Sequence, residues 1–168
     1  MGNRISGDYV AGFTDGEGCF ALKLRRDAKR DKEYFYWTAE FAIVLRSDDA
    51  DLLYAIQNVF GCGKVTFTKK NDQARFSVQG TAELSNVVVP FFRKHVLHGK
   101  KRHDCSLWTE AVKILARYRD GVHNSQPGRR GFIKKEMKEG DIRRLEAIRG
   151  EMLSFKSKRT ELFKWVSS

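Results

Sequence analysis

The chain opens with a segment of helical spacing, Tyr9 to Gly18, in which Val10, Phe13 and Thr14 are the larger side chains and Ser6 or Asp8 can serve as N-cap. Strict alternation follows. From Cys19 to Arg26, Phe20, Leu22 and Leu24 share one face, with Cys19, Ala21, Lys23 and Arg25 on the other. After a charged turn, Asp27 to Glu33, alternation resumes from Tyr34 to Leu45. It assigns Phe35, Trp37, Ala39, Phe41, Ile43 and Leu45 to the core side, and Tyr34, Tyr36, Thr38, Glu40, Ala42 and Val44 to the opposite side. Ser47 then caps a helix to about Phe60, with Asp48, Asp49 and Asp51 in its first turn and Leu52, Leu53, Ile56 and Val59 on its apolar stripe.

Gly61-Cys62-Gly63 ends that helix. Two short strands follow, Lys64 to Lys70 and Ala74 to Gln79, joined near Asn71-Asp72. Val65, Phe67, Phe76 and Val78 point inward; Lys64, Thr66, Thr68, Arg75, Ser77 and Gln79 point outward. Thr81 starts a helix that Pro90 ends or kinks, and His103 to Tyr118 places Leu107, Trp108, Ala111, Val112, Leu115 and Ala116 at helical spacing. An Arg- and Gly-rich loop, Arg119 to Gly131, precedes a charged helix near Ile142 to Phe155 and a short one near Thr160 to Val166. The order predicts an α+β fold: a mostly antiparallel sheet with helices on one face and a polar face left bare. Residues 1–168 read as one domain, with a core of about 7–118 and a helical extension of about 132–168.

Charge changes the picture. Lys and Arg outnumber Asp and Glu by 32 to 21, a net +11 with a pI near 9.7, so a polyanionic partner is the leading inference. The bare sheet face, carrying Lys23, Arg25, Thr38, Lys64, Arg75 and Gln79, could lie along a DNA major groove, its strand side chains reading base edges while loop cations hold phosphates. The basic residues form no amphipathic basic helix, and no apolar run has the length of a membrane span, so a membrane partner is not expected. Cys19, Cys62 and Cys105, odd in number and without C-x-x-C spacing, argue against a disulfide framework and for an intracellular protein. The cluster His95, His98, His103 and Cys105 matches no strong zinc spacing, and Trp37, Trp108 and the phenylalanines read as core.

The candidate chemistry lies at the end of the first helix. Gly12 and Gly16 sit four apart on one face with Ala11 nearby, and each interior glycine costs about 1 kcal/mol relative to alanine. Close approach of another backbone would explain that cost. Asp15 and Glu17 lie at the C-terminal end, where each carboxylate opposes the helix dipole by roughly 0.3–1 kcal/mol. Pairing of two such helices would bring both Glu17 carboxylates together, and a divalent cation would relieve the repulsion. The rival reading makes Glu17 a solvated acid in a helix-to-strand turn.

Ala11-Gly12-Phe13-Thr14-Asp15-Gly16-Glu17-Gly18, after a helical prefix and before an alternating strand, resembles the signature of the LAGLIDADG homing endonucleases. Similarity extends over about Gly7 to Leu115. The resemblance implies a saddle-shaped sheet, and a homodimer joined through Ala11, Gly12, Asp15 and Gly16, since the chain holds one motif and no second copy. It implies Glu17 as catalytic acid and metal ligand, with the Gly16 carbonyl beside it, and Lys100 as a second catalytic group. Lys101 is the neighbouring alternative, and a surface basic cluster the rival reading of both. Mg²⁺ is the implied metal, with Mn²⁺ a substitute and Ca²⁺ supporting binding without efficient cutting. The implied DNA surface comprises Lys23, Arg25, Tyr36, Thr38, Glu40, Arg46, Lys64, Thr66, Thr68, Arg75, Ser77 and Gln79.

The function so implied is sequence-specific double-strand cleavage of a long pseudo-palindromic DNA site by an intron-encoded enzyme, located wherever its host DNA resides, in a prokaryotic cytoplasm or an organelle. The alternatives are a maturase that binds intron RNA and a non-cleaving DNA-binding regulator. One position departs from the family pattern: Leu45 stands where some members carry a water-holding Gln, and Leu cannot hydrogen-bond.

Overall fold

The computed structural model describes residues 4–29, 32–119 and 137–166. Helix α1 (Gly7–Glu17) runs directly into β1 (Gly18–Lys29), which is followed by β2 (Lys32–Arg46), α2 (Ala50–Phe60), β3 (Lys64–Thr68) and β4 (Gln73–Val78). Then come α3 (Thr81–Glu83), a π-helical turn (Leu84–Val88), α4 (Val89–Lys94), α5 (Lys101–Arg119) and α6 (Glu139–Val166). The four strands form one antiparallel sheet in the order β1-β2-β4-β3. The expected α+β class and antiparallel sheet hold. By contact the chain divides into two compact units, Met1–Ala116 and Arg117–Ser168.

Aromatic side chains organise the core of the first unit. Phe41 of β2 is fully buried, with ring centroids 5.2 Å from Phe20 of β1, 5.3 Å from Phe92 of α4 and 5.6 Å from Phe60 of α2. Phe20 in turn meets Trp108 of α5 at 5.1 Å, in a tilted arrangement that suits the ring quadrupoles. The Trp108 indole N–H donates to the Ala21 carbonyl at 3.2 Å, satisfying a backbone acceptor on edge strand β1. Phe76, Ile43, Leu53 and Ile56 complete this buried layer.

Several local expectations shift. Leu24, Phe35 and Phe67, assigned to the core by alternation, are 40%, 58% and 53% exposed. Alternation tells which face a residue shares but not how far the covering helices reach, and these three lie beyond that cover. Ser47 does not cap α2; a 3₁₀ turn, Ser47–Asp49, intervenes, and the Ser47 hydroxyl donates to the Asp72 carboxylate. The helix from Thr81 is neither ended nor simply kinked by Pro90. It widens into the π turn, with the Val89 amide donating to the Leu84 carbonyl five residues back, just before the proline that lacks its own N–H.

In the second unit α6 is one continuous helix where two were expected. Leu145, Ile148 and Met152 are buried at helical spacing, and Arg117 donates to Asp141 at 3.1 Å. Most of the expected Arg119 to Gly131 loop lies outside the described residues.

Phe41 should be the costliest core truncation. Phe41→Ala is expected to lose about 3–5 kcal/mol in urea unfolding, and a loss below about 1 kcal/mol would show that the aromatic cluster repacks without it.

Candidate functional site

Ser6 caps α1 by accepting from the Tyr9 amide at 3.1 Å. The helix buries Val10, Ala11 and Thr14 against its own chain, and the Thr14 hydroxyl is satisfied by donating to the Val10 carbonyl at 2.8 Å. With that face inward, Tyr9, Gly12, Phe13 and Gly16, spaced i, i+3, i+4 and i+7, run along the outward side. A Cβ at Gly12 or Gly16 would meet no described atom within 4 Å. Gly18 differs: its Cβ would stand 2.4 Å from the Thr14 side chain, so only glycine lets the strand leave the helix here.

Glu17 is therefore the last helical residue, exposed, with the Gly16 carbonyl beside it. The Lys101 ammonium, at the start of α5, donates to that carbonyl. Lys100, one residue earlier, is exposed. Asp15 turns to the loop before α5, accepting from the His98 amide at 2.7 Å, while its other oxygen is buried without a partner. His95, at the end of α4, pairs with Asp8 at 2.6 Å and meets the Phe91 ring in a tilted contact with centroids 4.8 Å apart. Cys105 is buried, and that burial pushes its thiol up to about 11.

The polar face of the sheet follows from the strand registers. Lys23 opposes Thr38 and Arg25 opposes Tyr36; Val44, Arg75 and Thr66 form one row, and Arg46, Gln73 and Thr68 another. At its centre Glu40 is only 5% exposed. One Glu40 oxygen accepts from Lys23 at 2.9 Å; the other accepts from Arg75 at 2.8 Å and from Gln79 at 2.9 Å. Burial would push the Glu40 carboxyl up, but these hydrogen bonds and the Arg75 charge outweigh it, lowering its pKa from an ordinary 4.5 to about 2.

A sequence model of the LAGLIDADG endonuclease family matches residues 10–112, from within α1 to within α5. The chain belongs to that family. Among curated proteins, it is 28% identical over 112 residues to a probable intron-encoded endonuclease 2 of Neurospora crassa, covering 66% of this chain and 25% of that protein. A probable intron-encoded DNA endonuclease 1 of Mycosarcoma maydis is 27% identical over 100 residues, covering 60% and 35%. The chain thus spans a quarter to a third of these relatives' length. Among solved structures, the homing endonuclease I-TnaI superposes with a TM-score of 0.70 at 25% identity, covering 95% of this chain and 99% of that one. The fold also matches the meganuclease I-SmaMI, crystallised on uncleaveable DNA, with a TM-score of 0.72 at 19% identity, over 89% of this chain and 45% of that one.

Set in this LAGLIDADG frame, the expected site residues fall into two groups. Arg25, Arg46, Lys64, Thr66, Thr68 and Gln79 are exposed, and Lys23, Tyr36, Thr38 and Arg75 are at least partly accessible on the same sheet face. Ser77 and Glu40 are corrections: both are buried, Ser77 between Ala42 and Lys64 in the sheet, Glu40 beneath three side chains that occupy both its oxygens. Ala11 is a correction as an interface residue, because it is 3% exposed within its own chain. At the helix tip Lys101 donates to the Gly16 carbonyl, and Lys100 beside it is exposed. The Glu40 hub was the arrangement missed, and its signal was a lone acid in an alternating strand among cations. Among the described residues no three His, Cys, Asp or Glu side chains converge as a metal cage, and no helix is long and apolar enough to cross a membrane.

Because the folded-state pKa of Glu40 is depressed, its contribution to stability is complete above the unfolded value near 4.5 and disappears as pH falls towards about 2. Unfolding curves measured across that window should show wild type and Glu40→Gln converging. Parallel curves from pH 6 to pH 2 would mean that the ion pairs add nothing.

Proposed function

We propose that this chain is a homodimeric, divalent-metal-dependent, sequence-specific DNA endonuclease, intron-encoded, that cuts both strands of a long pseudo-palindromic site. The observation that carries the reading is the α1 tip. There an exposed Glu17 carboxylate and a Gly16 carbonyl that already draws a cation stand together at the start of a basic sheet face.

The donor set fits a hard divalent ion such as Mg²⁺: Glu17 offers a carboxylate and Gly16 a carbonyl, both oxygen ligands. Bound there, the ion would supply charge neutralisation and a reactive water for phosphodiester hydrolysis. One chain contributes too few ligands for a divalent ion, so a second Glu17, water and phosphate oxygens would be needed beside them. Lys101 takes the role first expected of Lys100, an ammonium held at the tip to stabilise charge developing on the scissile phosphate. The sheet face holds the duplex, with Arg25, Lys64, Thr66 and Arg75 among the side chains that meet bases and phosphates. The first unit is the endonuclease module and the remainder its helical extension.

Homodimerisation is supported by the outward face of α1, where no described atom stands within 4 Å of a Cβ built at Gly12 or Gly16. A two-fold interface puts the same helix face on both sides. Gly12→Leu should yield a monomer that no longer cuts; sedimentation showing a wild-type monomer that still cleaves both strands would refute the dimer.

Glu17→Gln preserves size and hydrogen bonding while removing the charge. The variant should fold, dimerise and bind DNA, yet lose nicking of supercoiled plasmid carrying candidate intron-insertion sites in Mg²⁺ by at least about a hundredfold. Equal cutting would remove Glu17 from the site, and a wild type that binds intron RNA without ever cutting DNA would establish the maturase instead. Lys101→Met should slow turnover with little loss of binding; slowing by Lys100→Met alone would return the role to that residue.

A further inference from the structure

The chain carries a net charge of +11, yet the middle of its polar sheet face is built around a carboxylate. Glu40 is poorly placed to accept from a base edge, since it is only 5% exposed and lies beneath Lys23 on one oxygen and Arg75 and Gln79 on the other. Its partners remain available. The Lys23 and Arg75 side chains are 47% and 37% exposed, and each has N–H donors beyond the one given to Glu40. Three long side chains, arriving from β1, from β4 and from just after β4, are thereby drawn to one point under the surface.

Long cationic side chains on an open surface ordinarily roam, which suits them to any phosphate and to no base in particular. Tethered at one end, they lose that freedom before DNA arrives, so a matching sequence is met without the ordering cost and a mismatched one cannot be followed. The buried negative charge also offsets part of the local positive field that would hold any duplex.

Resting on the reading that this face takes DNA, we propose that Glu40 is a specificity-determining positioning residue: it fixes Lys23, Arg75 and Gln79 in one arrangement for reading base edges and withholds their charge from indiscriminate phosphate binding. Glu40 touches no DNA in this scheme. Its effect passes entirely through the three side chains above it.

The test uses full-length protein and two duplex probes, one selected by the wild type from a randomised library and one of scrambled sequence, titrated across a salt series. Glu40→Gln should bind the scrambled duplex more tightly at low salt, steepen its salt dependence by about one unit, and cut discrimination between the probes about tenfold. In an Arg75→Ala background the same change should cost discrimination much less, because the two residues act as one unit. If Arg75→Ala weakens binding but Glu40→Gln alters neither slope nor discrimination, the positioning role is overturned. Should Lys23→Ala and Arg75→Ala both bind like wild type, the DNA face itself has been misread, a separate failure. Nuclear magnetic resonance of the Arg75 guanidinium in DNA-free wild type decides the matter without any variant: slow rotation about its terminal bonds supports the tether, and free averaging overturns it.

Discussion

The absence of any linker between α1 and β1 is the constraint on which the rest depends. Glu17 closes the helix and Gly18 opens the strand, so the position of the acidic tip is set by the sheet itself rather than by a loop. That junction is possible because Gly18 lacks a side chain where Thr14 already stands, and because Thr14 can be buried with its hydroxyl satisfied inside the helix. A charged residue at the unfavourable end of a helix would ordinarily fray the last turn. Here the strand hydrogen bonds that begin at Gly18, paired opposite Ile43, hold it in place.

Strand β2 couples the two halves of the site. Glu40 and Phe41 are consecutive, so they project to opposite faces, one beneath the cations of the polar face and the other into the aromatic core. Phe41 is also the first β2 residue paired with β4, opposite Val78. A displacement of the core would therefore be felt at the polar hub within one residue, and the burial that stabilises the sheet also keeps Glu40 in its low-dielectric setting. Polar face and aromatic core share a backbone at this point of β2.

Much of this was legible in the residues. Period-two alternation gave the correct face for Phe20, Leu22, Phe41, Ile43, Phe76 and Val78, because one side of the sheet is dry. It failed for Leu24, Phe35 and Phe67, since a linear pattern contains no information about where a covering layer stops. The tip stood out as a candidate because a costly pair of glycines beside two acids is rare without a reason. Which lysine donates there was not legible, because Lys100 lies in the turn before α5 and Lys101 is its first residue, a boundary that the residue pattern does not fix. The burial of Ala11, Ser77 and Glu40 likewise depended on neighbours distant in sequence.

The β1–β2 pairing outruns the rest of the sheet. Residues from Lys32 to Glu40 pair with β1 alone, whereas β4 joins β2 only from Phe41 onward. The far part of this hairpin is a two-stranded ribbon that adds little to the aromatic core, and Leu24 and Phe35 stand in the open along it. Such a segment is cheap to rewrite. Changes at Arg25, Tyr36 or Thr38 leave Phe41 and its neighbours untouched, so a lineage could alter what the ribbon meets while inheriting the scaffold intact. Substitutions along the ribbon can then accumulate by single steps without disturbing the aromatic core.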